Sequence, residues 1–215
     1  MPSRRRLPIF DIMRIGQETS AAPQRGFTLL ELMMVLTLAA VIMAIGAPSF
    51  GEFSRNNRLS SAANNLLAGL QLARTEAIKL QTVVSICSSD NPDSASPTCS
   101  PGSFRGWIVF ADGNADCQRT AVDPLPLRSG DPLPGGVGTS QDASCASFYP
   151  NGYVRPTAGQ PLLSRVVFCD SRGLVNQPGT DLSVERGVEL TPTGRAVVTR
   201  EAARLAGWNL PCTAR

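Results

Sequence analysis

The sequence predicts an α+β protein, with one long N-terminal helix followed by a β-rich globular head. Three observations carry this reading. An almost uncharged apolar run spans residues 27–50, and a polar stretch with helical spacing continues it to about Leu80. Beyond residue 80 the pattern changes to short β-branched and aromatic segments separated by Pro/Gly/Asp-rich loops. The 215 residues allow one sizeable domain plus an appendage, and 19 Gly with 17 Pro favour a turn-rich body over a helical bundle.

The apolar run, FTLLELMMVLTLAAVIMAIGAPSF, holds a single charged residue, Glu31. A helix of about 20 apolar residues crosses the ~30 Å hydrocarbon layer. Residues 1–26 carry Arg4, Arg5, Arg6, Arg14 and Arg25 against Asp11 and Glu18. The positive-inside rule keeps this basic segment in the cytoplasm and sends the rest outward in a single pass. The whole formal charge of +3 sits in residues 1–26, because 27–215 balance 15 basic against 15 acidic side chains. Any nucleic-acid reading must therefore rest on local clustering.

From residue 51 to 80 the apolar positions Leu59, Ala62, Ala63, Leu66, Leu67, Leu70, Ala73, Ala77 and Ile78 form one helical stripe, expected to pack on the head. Arg55, Arg58, Arg74, Glu76 and Lys79 lie largely off it. With the apolar half it makes a rod of about 50 residues, roughly 75–80 Å long. Gly46 and Pro48 are the expected bend or melting point. Strands are expected at 82–88, 105–111, 145–149, 152–155, 164–169, 187–191 and 195–199, within one head covering 81–215. The stretches 89–103 and 112–143 are poor in apolar residues and are expected at the surface.

Six cysteines, Cys87, Cys99, Cys117, Cys145, Cys169 and Cys212, all follow the apolar run and form no CxxC pair. An even, widely spaced set beyond a membrane segment reads as disulfides in an oxidising compartment, with 15 connectivities open; buried reduced thiols are the alternative. There is no histidine, which removes the commonest general base and most zinc sites. Asp112, Asn114, Asp116 and Asp123 mimic part of a calcium loop, but Cys117 stands where the turn glycine belongs. No metal site is assigned. Nucleophile elbow, P-loop, dinucleotide fingerprint and paired-carboxylate motifs are all missing, so neither catalysis nor a cofactor is expected.

Glu31 distinguishes the kinds of membrane segment. A carboxylate in a lipid-facing helix is costly unless paired, which makes it a candidate functional residue. A secretory signal peptide would be cut near Gly46 or Ala47, with Pro48 disfavouring the junction, and a plain uncleaved anchor has no use for Glu31. A basic leader followed by Gly26-Phe27-Thr28-Leu29-Leu30-Glu31 and an apolar helix resembles the type IV prepilin signal. That resemblance implies a leader, 1–26, removed by a prepilin peptidase after Gly26, N-methylation of Phe27, and insertion in the bacterial inner membrane by residues 27–50. It also implies that Glu31 pairs with the α-amino group of a neighbouring pilin's first residue, and that Pro48 stands where such helices carry a proline. A 26-residue leader is long, and Met13 is an alternative start.

The order VVSICSS…C, GWIVFAD, VVFCD, VELTPTGRAV and a late cysteine resembles the FimT/GspH-type minor pilins and pseudopilins. The resemblance implies the type IV pilin fold, with an antiparallel β head packed on the helix, and a Cys169–Cys212 bond. Proximity then pairs Cys87 with Cys99, leaving Cys117 with Cys145. Some members of this group bind double-stranded DNA through a C-terminal Gly-Arg-x-Arg motif. Gly194 and Arg195 match it, but Val197 replaces the second arginine; Arg200 and Arg204 follow nearby. Arginine forks suit phosphate, whereas exposed strand residues beside a turn are the plainer account. Trp107 and Trp208 read as sheet-packing residues, with base stacking by an exposed Trp208 as the sharper alternative. The readings that follow are a minor pilin of a type IV pilus, the same subunit acting as a DNA receptor for transformation, or a minor pseudopilin of type II secretion. The head would lie in the periplasm, and the helix would contact other pilins or pseudopilins.

Overall fold

The computed structural model describes residues 26–102, 104–119, 124–156, 161–174, 177 and 179–213, without the side chains of Ala47 and Pro48. Leader residues 1–25, Met13 among them, and Asp123 lie outside the described residues. The chain divides into two units, 1–46 and 47–215.

Helix α1 runs Leu29–Leu80. Thr28 caps it, its Oγ1 accepting the Glu31 amide at 3.1 Å while its carbonyl accepts the Leu32 amide. In the first unit the apolar side chains stand exposed, and the helix contains a window long and apolar enough to cross a membrane. The helical assignment continues through Gly46 and Pro48, where the sequence predicts a bend or a melting point.

In the second unit the stripe of α1 is buried: Leu59, Ala62, Ala63, Leu66, Leu70, Ala73 and Ala77 join the central core. Leu67 is only half-buried, and Ile78 is exposed. Small residues let the sheet approach the helix closely. At Gly69 an added Cβ would lie 2.7 Å from the Trp107 ring.

The head comprises β1 (Val84–Ser88), β2 (Trp107–Ala111), β3 (Arg128–Gly130), β4 (Gly138–Gln141), β5 (Cys145–Phe148), β6 (Val154–Arg155), β7 (Arg165–Cys169), β8 (Leu182–Leu190), β9 (Ala196–Glu201) and α2 (Ala202–Gly207). They form two antiparallel sheets, ordered β3-β2-β1-β5-β6 and β4-β7-β8-β9. Strand alternation sorts the side chains by face. Ile86, Val109, Phe148, Val166, Phe168 and Val188 meet α1 in the central core, each large side chain contributing about 1.5–3 kcal/mol by burial.

The opposite faces are not left to solvent. On the first sheet Cys87, Ile108, Phe110, Cys117 and Cys145 form a second small core beneath the covering loops. On the other, Val167 packs against Leu205 and Trp208 of the C-terminal segment. As expected, most of 89–103 and 112–143 is exposed or half-buried, but Pro92, Pro97, Asp112, Cys117 and Arg119 are buried anchors within them. Strands β3 and β4 also fall in the second stretch. Their composition, Arg-Ser-Gly and Gly-Thr-Ser-Gln, carries no apolar alternation because both are sheet edges.

Disulfides replace the apolar area these loops lack. Cys87–Cys99, Cys117–Cys145 and Cys169–Cys212 are bonded, with Cα separations of 5.7, 6.2 and 6.0 Å. These are the same three pairs named from the sequence. Closing such loops is worth about 2–4 kcal/mol each.

Candidate functional site

The N-terminal segment is the first candidate. Among the described residues Gly26 has nothing within 4 Å of an added Cβ, and Phe27 is 81% exposed, so no described residue covers this junction. Glu31 lies exposed in the first turn of α1, where a carboxylate also favours the positive end of the helix dipole. Thr28-x-x-Glu31 has the capping-box spacing, a helix-start signal that the sequence reading left unused. The bond that is formed uses the backbone amide of residue 31, so the Glu31 carboxylate bears on the helix start through the dipole. Pro48 lies within α1.

The C-terminal arginines are the second candidate, and the structure sets Arg195 and Arg200 at opposite ends of one strand. Thr191–Arg195 form a tight turn in which Thr191 accepts the Gly194 amide at 2.8 Å and donates its own amide to Arg195 at 2.9 Å. Gly194 has φ +76°, and an added Cβ would lie 2.1 Å from the Gly152 carbonyl oxygen, so the glycine is required by packing. Arg74 fixes the turn by donating to the Gly194 carbonyl at 3.2 Å. Arg195 is exposed there. Arg200 lies near the far end of β9, about 17 Å along the strand, and donates to Gln177 at 3.1 Å. Arg204 is paired with Glu189.

The fold joins a second segment, 149–155, to the turn that carries Arg195. The Val154 amide donates to the Pro192 carbonyl at 2.9 Å, setting Tyr153 and Arg155 beside this turn. Tyr153 is 50% exposed, and the Arg155 guanidinium stacks 5.1 Å from the Tyr149 ring. No spacing in the sequence links 149–155 to 191–195; only the fold does. Trp208 is buried over Gly187, and Trp107 lies in the central core, so neither ring is presented for base stacking.

A third group joins buried charges at the end of the head where α1 carries residues 55–60. Both Asp170 oxygens accept from Arg172, whose terminal nitrogen lies 2.6 Å from Oδ2 and also reaches Asn56 at 2.9 Å. Burial pushes the Asp170 carboxyl up, but the hydrogen bonds and charge of Arg172, with Arg55, outweigh it and hold the pKa below its ordinary value. Burial, then Asp170, raises Glu185. Arg186 is brought down to about 10 by burial, then by Arg200 and Arg172. It donates to Ser60 and to carbonyls of its own bulged strand.

The would-be calcium loop uses its own carboxylates. Asp112 accepts the Asp116 and Cys117 amides and the Ser85 hydroxyl, while Asp116 accepts from Asn114 and Gln118. Among the described residues no group of three or more His, Cys, Asp or Glu is placed to hold a metal ion.

The family described as Type II transport protein GspH matches residues 62–194, and the Prokaryotic N-terminal methylation motif matches residues 22–47. The chain is similar to the type IV minor pilin FimU of Pseudomonas aeruginosa strain PAO1 in two crystal structures. For the P21 form the identity is 22%, covering 70% of this chain and 94% of that one, with a TM-score of 0.45. For the P65 form the values are 21%, 67%, 94% and 0.41. No curated protein matches the chain.

Proposed function

The chain belongs to the GspH family of type II transport proteins, and we propose that it is a minor pilin that helps initiate or cap a type IV pilus. It is a pilin-like subunit with a prepilin-type methylation signal, of the kind processed by prepilin peptidase. The proposal adds cleavage after Gly26, N-methylation of Phe27, a single pass through the inner membrane and a periplasmic head. The protein is a substrate of an enzyme and not an enzyme itself. The observation that carries this reading is the match at 22–47 over a Gly26–Phe27 junction that no described residue covers and an exposed apolar helix. Glu31 then meets the α-amino group of a neighbouring subunit, so that two charges costly in lipid satisfy each other and set the register.

Mass spectrometry of the chain recovered from sheared filaments tests it. A mature N-terminus at methylated Phe27 is expected, and Glu31→Ala should remain in the membrane fraction. Recovery only as the uncut chain, or normal incorporation of Glu31→Ala, refutes the proposal.

The family description favours a second reading, a minor pseudopilin of type II secretion. Loss of exoprotein release with intact pili in a deletion strain would select it. A DNA-receptor role rests on Arg195 with Arg155 and Tyr153 around one turn, without Arg200 or Arg204. A gel shift of the detergent-solubilised chain against Arg155→Ala/Arg195→Ala tests that role. Binding that weakens steeply with salt and is lost in the variant supports it.

A further inference from the structure

The turn at Gly135–Gly136 faces α1 across a cleft of about 110 Å³, lined by Arg55, Arg58, Asp170 and Ser171. Arg55 and Arg58 are three residues apart, on one face of the helix, and both are exposed. Neither forms an ion pair among the described residues; Arg58 makes only a long 3.4 Å bond to the Gly135 carbonyl. The one carboxylate on the cleft, Asp170, is already held by Arg172 on both oxygens. With Asp170 neutralised by Arg172, Arg55 and Arg58 therefore leave an excess of positive charge around a space suited to one phosphate group. Two arginine forks are well matched to such an oxyanion.

The cleft's place along the chain identifies the source of the phosphate. The apolar run ends at Phe50, and Arg55 and Arg58 follow by roughly 7.5 and 12 Å of helix. The polar layer outside the hydrocarbon is about 5–8 Å deep on each side, and arginine stems extend along the surface to place their charge at that level. Phe50 and Phe53, 71% and 67% exposed, stand on the membrane side of the pair. We propose that this cleft takes the phosphate of an anionic phospholipid at the outer membrane–water interface, anchoring the base of the head while the subunit waits to be assembled. The proposal rests on the membrane reading of residues 27–50.

The test uses the full mature chain in vesicles of phosphatidylcholine alone, or with phosphatidylglycerol added, read by amide hydrogen exchange at 135–137 and 170–172. Exchange should slow about tenfold with phosphatidylglycerol only. The effect should vanish in Arg55→Gln/Arg58→Gln and return in Arg55→Lys/Arg58→Lys, while protection of β1 reports that each variant is folded. Equal exchange in both lipids overturns the proposal. So does slowing by inorganic phosphate in neutral micelles without any phosphatidylglycerol effect, which would mark a free-anion site. Co-flotation separates the two failures: a chain that floats with neither vesicle overturns the membrane reading, and this proposal with it.

Discussion

Cys87 of β1 and Cys145 of β5 stand directly opposite each other across the strand pair, yet each is bonded to a cysteine of a covering loop. Opposed residues share a sheet face with Cβ atoms about 4.5–5.5 Å apart, close to what a disulfide spans. A non-native Cys87–Cys145 bond is therefore within reach as soon as β1 and β5 pair, before either loop has closed. Correcting it takes attack by a thiolate, which forms a mixed disulfide and is released again when the native bond closes.

With both loop partners removed, in Cys99→Ser/Cys117→Ser, the two strand cysteines should bond to each other. Peptide mapping without reductant should then find a Cys87–Cys145 crosslink, whereas two alkylatable thiols would refute the geometry. The wild type refolded with oxidant alone should trap the same crosslink, and added thiol should recover the native pairs.

Gly187 of β8 is a second contact fixed by close approach. An added Cβ would come within 2.4 Å of Leu205 Cδ2 and 2.5 Å of Trp208 Cζ3. Gly187→Ala should cost about 1–3 kcal/mol by overpacking, and Trp208→Ala about 3–5 kcal/mol by leaving a cavity. The two costs should not add, because the new methyl enters the space the ring vacates. Urea unfolding of the single and double variants measures the coupling. Simple additivity would show that α2 shifts away instead of clashing.

What was legible in the sequence follows from which forces leave a periodic trace. The α1 stripe, β1, β2 and β7 could be read because burial against one core imposes regular apolar spacing on Leu59–Ala77 and on Val84 and Ile86. The loops over the first sheet could not, since Pro97, Asp112 and Arg119 are buried by disulfides and hydrogen bonds to backbone rather than by apolar patterning. The start of β8 was missed because Ser183–Arg186 is a mostly polar bulge, in which Arg186 is held by Ser60 of α1 and by carbonyls of its own strand. The Gly26–Glu31 signal is local and legible. The neighbours of Arg195 come from 149–155, a tertiary relation with no sequence signature.

Asp170 and Glu185 make the stability respond to pH in opposite directions. The native pKa of Asp170 is lowered, so its contribution is present above its ordinary value of 3.8 and is lost as pH falls through the lower native value. Glu185 is raised, so its burial costs nothing below its ordinary value of 4.5, and the cost grows as pH climbs through the native value. Glu185→Gln should therefore be more stable than the wild type at neutral pH, with the gain fading below 4.5 where glutamate is itself neutral. Asp170→Asn should be less stable at neutral pH by about 1–3 kcal/mol, because Arg172 loses its charged acceptor. That deficit should shrink as pH falls below 3.8. Chemical unfolding of both variants across the acid range checks the two signs. A Glu185→Gln gain that persists undiminished in acid would mean that packing, and not charge, is the source of the effect.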